Sequence, residues 1–156
     1  TGKCCDIEDA MNGENQAGKE PGLIEEADIE RLVRTFYGRA REDEILGPIF
    51  NRHVDDWDHH LLRIQDFWSA VVLRTGRYHG RPVPAHVPLN IDAAHFDRWL
   101  ALFAQTARDV CRPEAAAVFV DRARMIAGSL ELAMASHEGV ILAPGSRYRR
   151  TEEVGE

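Results

Sequence analysis

A histidine held between prolines is the first feature of the sequence that could do chemistry. His86 lies in a short segment with Pro82, Pro84 and Pro88. Each proline fixes its own φ, lacks a backbone donor and disfavours the helical conformation in the residue before it, so at most one helical turn fits around His86. An imidazole in such a rigid segment suits an iron or zinc ligand of fixed orientation. The alternative is a surface loop with an incidental histidine.

Three further hydrogen-bonding side chains fall on the apolar faces of three different predicted helices. Tyr37, His60 and Trp99 each continue a run of apolar residues at three- and four-residue spacing. Without partners, buried groups of this kind cost about 1–3 kcal/mol each, whereas a bound ligand with oxygen atoms would satisfy them. An iron held by His86, with a small oxygen species near these donors, fits the pattern. A zinc site or a polar core without a ligand predicts a similar set of residues.

The apolar residues on the same faces would suit a slot for a flat macrocycle. Arg63, three residues after His60, lies at the edge of this surface. Its guanidinium is either a solvated charge or a clamp for an anionic group at the mouth of the slot. The slot is predicted to contain Phe36, Phe50, Ile64, Phe67, Trp68 and Phe96.

Four long helices must position these residues. Amphipathic spacing predicts them, and no alternating strand pattern of convincing length or internal repeat appears. The fold class is therefore all-α. The expected helix limits are a start near Asp28 with a break at Gly47-Pro48, a start after Asp55-Asp56, a start capped by Asn90 or Asp92, and a last helix from Pro113 to near Gly139.

Composition excludes several classes of function. The chain has 156 residues with 19 basic and 26 acidic side chains, a net charge of −7 that makes nucleic acid a poor partner. No run of 18 apolar residues and no signal-peptide pattern occurs, so we expect no membrane span. Three cysteines, an odd count, do not form a disulfide framework. We therefore expect a cytoplasmic, reducing compartment.

The sequence divides into one helical domain and two tails. Residues 1–24 are polar and acidic and are expected to form a flexible tail. The domain spans residues 25–138, and residues 139–156 are expected to be disordered. The pair Cys4-Cys5 lies in the first tail and is either incidental or a redox or metal handle.

In the order and spacing of several motifs, the chain resembles the third group of truncated haemoglobins, bacterial globins of two helices stacked on two. The resemblance covers residues 25–137, and the glycine motifs of other truncated globins do not occur here. It is carried by Phe36-Tyr37, Leu46-Gly-Pro-Ile-Phe50, Trp57-Asp-His-His60, Phe67-Trp68, Tyr78-His-Gly-Arg-Pro82, His86 and His95-Phe-Asp-Arg-Trp99-Leu-Ala-Leu-Phe103.

The resemblance implies a shortened globin fold that binds haem b, iron protoporphyrin IX. By position in the motifs, His86 corresponds to the proximal iron ligand. Tyr37, His60 and Trp99 correspond to the distal side chains that contact bound dioxygen. The remaining expected cofactor contacts are Phe50, packed on the haem face, Arg63, near a haem propionate, and the slot residues Phe36, Ile64, Phe67 and Phe96.

The expected ligands are dioxygen, nitric oxide and carbon monoxide. Several distal donors would hold oxygen tightly, which favours its use in chemistry, such as oxidising nitric oxide to nitrate or handling peroxide. Such an enzyme would need an external, unidentified reductase, because the chain has no nicotinamide- or flavin-binding motif. The alternatives are an oxygen carrier or ligand sensor, and a colourless protein that is either a haem-free helical scaffold or a zinc protein using His53 and His60. We expect a monomer or a weak dimer.

Overall fold

Helices make up the regular structure of residues 22–150, the part of the chain that the computed structural model describes. The prediction of an all-α fold with four long helices is confirmed, and two short helices precede the second and third long ones. In chain order the helices are α1 (Glu26–Ala40), α2 (Gly47–His53), α3 (Trp57–Leu73), α4 (Pro82–His86), α5 (Ala93–Val110) and α6 (Pro113–His137), with a 3₁₀ turn at Val87–Leu89.

Acidic side chains begin two of the long helices where the sequence predicted caps. Asp56 accepts a hydrogen bond from the backbone N–H of His59 at 3.1 Å and starts α3. Asp92 accepts one from the N–H of Ala94 at 3.0 Å and starts α5. α1 starts earlier than expected, because Asp28 lies inside its first turn and accepts from the N–H of Glu25 rather than capping the helix itself.

The four long helices form two packed pairs, α1 with α3 and α5 with α6, and α1 also packs on α5. Aromatic rings fill the space between the pairs. The Trp68 and Phe103 rings are stacked with centroids 5.1 Å apart, and Phe103 also stacks on Trp99 at 5.0 Å. Phe36 and Phe119 complete this first core, with 1% and 0% of their surfaces exposed. Close packing of this kind fixes the positions of the helices that carry the distal residues.

A second buried cluster lies between the start of α5 and the middle of α6. Its members are Ile91, Phe96, Ala127, Leu130, Met134, Ala135 and Tyr148. The short helix α4 packs against α6. The segment that carries His86 therefore rests on the helix that contributes most of this cluster.

The expectation of disorder from residue 139 onward is wrong for residues 139–150, which we call the C-terminal strap. Tyr148 is only 3% exposed. Arg147 pairs with Glu131 of α6, and the Ala93 N–H donates to the Tyr148 carbonyl at 2.8 Å. The polar, mixed-charge composition of residues 145–156 suggested a solvated tail, but Arg147 pairs with carboxylates 16 and 50 positions away in the sequence.

The boundary of the first tail also needs a correction. Ile24 is 8% exposed and belongs to the core, and Arg112 donates to the Leu23 carbonyl at 2.6 Å. Residues 1–21, including Cys4-Cys5, lie outside the described residues. No helix among residues 22–150 is long and apolar enough to cross a bilayer.

Asp43 connects the turn between α1 and α2 to α5 by hydrogen bonds. Its carboxylate accepts from the N–H groups of Ile45 and Leu46, each at 3.0 Å, and from Arg98 Nε at 2.7 Å. Its side chain is 6% exposed. The hydrogen bond from Arg98 holds the pKa of Asp43 below its ordinary value of 3.8, and the two backbone donors act in the same direction.

We expect Asp43→Asn to lower the free energy of unfolding by about 1–3 kcal/mol, because it weakens charge-assisted hydrogen bonds. The matched control is Asp109→Asn in the more exposed pair with Arg39, which should lower the free energy of unfolding by less, because solvent screens that pair. Because the folded-state pKa of Asp43 is lowered, its contribution is complete above its ordinary pKa and is lost as the pH falls through the folded value. Urea unfolding from neutral to acidic pH measures both effects. Equal losses of unfolding free energy in the Asp43 and Asp109 variants would contradict the role assigned to Asp43.

Candidate functional site

One cavity of about 320 Å³ lies between the helices and brings the predicted site residues together. Its wall contains Tyr37 of α1, His60 of α3, His86 of α4 and Trp99 of α5. The four residues whose types suggested chemistry therefore meet in one place, although 62 positions separate the first from the last. Phe50, Arg63, Ile64, Phe67 and Phe96, the expected cofactor contacts, line the same cavity.

Phe36 is the exception among the expected cofactor contacts, and it does not line the cavity. It is 1% exposed and lies behind the distal residues. Its ring meets that of Tyr37 edge-on at 5.0 Å and that of Trp99 at 5.6 Å. Because Phe36 precedes Tyr37 in the helix, the two side chains point in directions about 100° apart, and only Tyr37 reaches the cavity.

His86 is oriented by its own short helix. Its Nδ1 lies 2.5 Å from the carbonyl oxygen of Pro82, four residues earlier. A carbonyl oxygen can only accept, so Nδ1 carries a proton, and in the neutral tautomer this leaves the lone pair on Nε2. This is the arrangement in which a neutral imidazole binds a metal through one nitrogen while the other nitrogen fixes the ring. The expected hydrogen bond to a backbone carbonyl is thus present.

His60 presents a buried nitrogen without a partner. Its Nε2 is enclosed and has no hydrogen bond to any described residue. Burial lowers the pKa of the His60 imidazole below its ordinary value, and the cationic Arg63 nearby lowers it further. The ring is therefore neutral near pH 7, and an unsatisfied nitrogen of this kind costs free energy until a ligand supplies a partner.

Tyr37 supplies a second donor beside His60. The centroids of the two rings are 5.5 Å apart, with the rings nearly perpendicular. Tyr37 is 7% exposed, and burial raises the pKa of its hydroxyl well above its ordinary value. The phenol therefore remains protonated and able to donate at any physiological pH.

Trp57 does not line the cavity but packs directly behind two of the residues that do. Its ring packs against Tyr37 at 6.0 Å and against His60 at 5.5 Å. The guanidinium carbon of the exposed Arg41 lies 4.3 Å from the centre of the Trp57 ring. This cation–π contact supports the ring that packs on Tyr37 and His60.

The apolar wall from α6 was also missed. Ile126, Ala127 and Leu130 line the cavity, as does His95 of α5. The Nδ1 atom of His95 accepts from the Asp92 N–H at 3.1 Å, so His95 also closes the start of α5. Periodicity cannot distinguish a core residue from a residue of the cavity wall, because both are apolar.

The site fits a cofactor whose metal ion is already coordinated mostly by atoms of the cofactor itself. Within residues 22–150, no three His, Cys, Asp or Glu side chains come together as a metal-binding group, so the zinc alternative with His53 and His60 lacks further protein ligands there. A single imidazole with a free Nε2, apolar walls and an unpartnered buried nitrogen fit haem instead. The fold and the site together define a globin.

Comparison with known proteins agrees with this class. A family model described as bacterial-like globin matches residues 22–125. Group 3 truncated hemoglobin ctb of Campylobacter jejuni is 34% identical over 113 residues, which cover 69% of this chain and 89% of that protein. The crystal structure of group III truncated hemoglobin from the same species matches with a TM-score of 0.65 at 33% identity, covering 72% of this chain and 92% of that one.

The chain belongs to the bacterial-like globins, as a truncated haemoglobin of the third group. The resemblance found in the sequence motifs is confirmed. Membership in this family implies a haem cofactor and the binding of small gas ligands such as oxygen.

We expect His86→Ala to abolish tight haemin binding, because it removes the one cavity imidazole that a backbone carbonyl orients. Titration of the haem-free protein with haemin, followed by the Soret absorbance, measures the loss. His53→Ala is the matched control, since His53 lines the same cavity but is exposed. Unchanged haemin binding in His86→Ala would contradict the assignment.

Proposed function

We propose that the protein binds haem b with His86 as the iron ligand and uses it for chemistry on oxygen together with nitric oxide or peroxide. One observation carries the proposal: the cavity contains both an oriented histidine with a free Nε2 and a buried histidine nitrogen with no partner. The first suits a metal ligand, and the second suits a donor to a small polar molecule. A cavity built only for storage of an apolar molecule would need neither.

The segment around His86 supports cofactor binding by being ordered beforehand. Two prolines within α4 and the bond from Nδ1 to the Pro82 carbonyl restrict both backbone and side chain. Binding therefore does not have to order this ring. When bound, haem would supply a coordination position for diatomic ligands and a redox-active metal.

The distal side chains support retention of a ligand rather than its easy release. Tyr37 is a permanent donor, neutral His60 has one nitrogen available, and Trp99 adds an indole N–H. A hydrogen bond to a ligand carrying negative charge contributes about 1.5–3 kcal/mol. Each such bond slows ligand escape about 10- to 100-fold. Two or three donors favour a ligand that stays long enough to react.

The overall reaction requires an electron from outside the chain. Nitric oxide and dioxygen form nitrate with the uptake of one electron, and peroxide reduction also consumes electrons. The sequence contains no nicotinamide- or flavin-binding motif, so the proposal includes an external reductase in a cytoplasmic, reducing setting. A monomer or weak dimer would leave the cavity mouth accessible to it.

The distal donors generate a kinetic prediction. We expect His60→Leu and Tyr37→Phe each to speed the loss of dioxygen from the reduced, haem-loaded protein about 10- to 100-fold, because each removes a hydrogen bond. Stopped-flow displacement of oxygen by carbon monoxide measures the rate. His53→Leu is the control, since His53 lines the same cavity but is exposed, and it should leave the rate unchanged. Wild-type rates in the first two variants would contradict a donor role.

The reaction itself is tested by product analysis. We expect the reduced, oxygen-equilibrated protein to consume nitric oxide and form nitrate in a single turnover, and to continue only when a reductase and its electron source are added. Nitric oxide electrode traces and nitrate assay report the outcome, with the same protein assayed for peroxide consumption. Reversible binding of oxygen without nitrate formation or peroxide consumption would instead support a carrier or sensor.

A further inference from the structure

We propose that the C-terminal strap, residues 139–150, is a positioning element of the haem site. By joining the start of α5 to α6, it supports the wall that these helices contribute to the cavity and so sets how long the cofactor is retained. The proposal rests on the proposed function, since it requires haem in the cavity. The match to the family model ends at residue 125, before the strap begins.

The strap reverses direction directly after α6. Gly139 adopts a positive φ of +74°, and the Val140 N–H donates to the Ala135 carbonyl at 2.8 Å, while that of Gly139 donates to the Ser136 carbonyl at 3.0 Å. These two bonds form a Schellman motif, which ends the helix and turns the chain back. A second turn follows at Gly145, where φ is +80°. The next residues therefore return to the middle of α6.

A polar clamp then ties the strap to both helices. The guanidinium of Arg147 binds both oxygens of Glu131 on α6, with Nε at 2.9 Å from Oε1 and Nη2 at 3.0 Å from Oε2. The same Nη2 lies 2.7 Å from the Asp97 carboxylate on α5. Glu131 is 7% exposed and also accepts from the Tyr148 N–H at 2.9 Å. A carboxylate buried to this degree depends on such donors, and all of those named here come from the strap.

The strap also completes the first turn of α5. The N–H groups at the start of a helix have no partner within the helix. Here the Ala93 N–H donates to the Tyr148 carbonyl at 2.8 Å, and the Arg150 N–H donates to the Asp92 carboxylate at 3.0 Å. The cavity residues Ile91 and Phe96 lie within three residues of Ala93. Fixing this turn therefore fixes part of the cavity wall.

The Tyr148 side chain lies behind the same wall. It shares a buried cluster with Ile91, Phe96, Ala127 and Leu130, and these four residues also line the cavity. The wall residues thus face the cavity on one side and belong on the other to a close-packed cluster that includes the strap. Loss of the strap would leave the wall free to shift, because packed side chains hold their positions only while their neighbours remain.

The test compares two arginines that each join helices by an ion pair. Arg147→Ala releases the strap, whereas the control Arg39→Ala breaks the pair with Asp109 between α1 and α5; the side chains are 43% and 39% exposed. Both full-length variants are loaded with haemin and mixed with excess apomyoglobin, and the transfer of haemin is timed. We expect transfer from Arg147→Ala to be about tenfold faster than from wild type and Arg39→Ala to change it about twofold or less.

A conservative variant separates positioning from general weakening of the fold. Arg147→Lys keeps the charge but cannot bind both Glu131 oxygens, so its rate should lie between wild type and Arg147→Ala. If Arg147→Ala does not fold, Glu131→Gln and Asp109→Asn are compared in the same way. Urea unfolding of the haem-free variants shows how much each is destabilised. If the Arg147 variant and the Arg39 control lose haemin equally fast and are equally destabilised, the strap proposal is overturned and the proposed function still stands. A wild-type chain that takes up no haemin would refute both.

Discussion

The hydrogen bond from His86 Nδ1 to the Pro82 carbonyl is the interaction on which the rest of the site depends. It selects the tautomer, fixes the ring plane and leaves one nitrogen free, all within a helix of five residues. Prolines make that helix possible by removing alternative backbone conformations before any ligand arrives. The packing of α4 on α6 then places this small unit against the rest of the globin fold.

The distal wall differs from the His86 segment, because its side chains are enclosed but not all of their hydrogen-bonding groups have partners. Tyr37, His60 and Trp99 come from three helices, and aromatic rings behind them hold each helix in place. Burial keeps His60 neutral and Tyr37 protonated. The unpartnered Nε2 of His60 is a local cost in stability that close packing elsewhere offsets. Such a cost is typical of a site that acts on a polar ligand.

The sequence predicted the long helices and most of the named residues that line the cavity, for reasons that can be stated residue by residue. Amphipathic spacing identified His60 rather than His59 as the inward residue of its pair, and His60 lines the cavity while His59 is exposed. It failed for Phe36, because apolar spacing cannot distinguish a core side chain from one that lines a cavity. The expectation of disorder in the C-terminal strap failed, because the carboxylates that neutralise Arg147 lie 16 and 50 positions away in the sequence. Local composition contains no signal for such pairs.

The His86 segment and the distal wall differ in how far apart in the chain their residues lie. His86 and the carbonyl that orients it are four residues apart, so one short segment contains both the imidazole and its hydrogen-bond partner. The three distal donors span 62 positions and meet only when α1, α3 and α5 are assembled. A partly folded chain could therefore present a metal ligand before it has any means of controlling what binds beside the metal. Under the proposed function, selectivity in this globin would be a property of the finished core, whereas metal ligation would be a property of the short α4 segment.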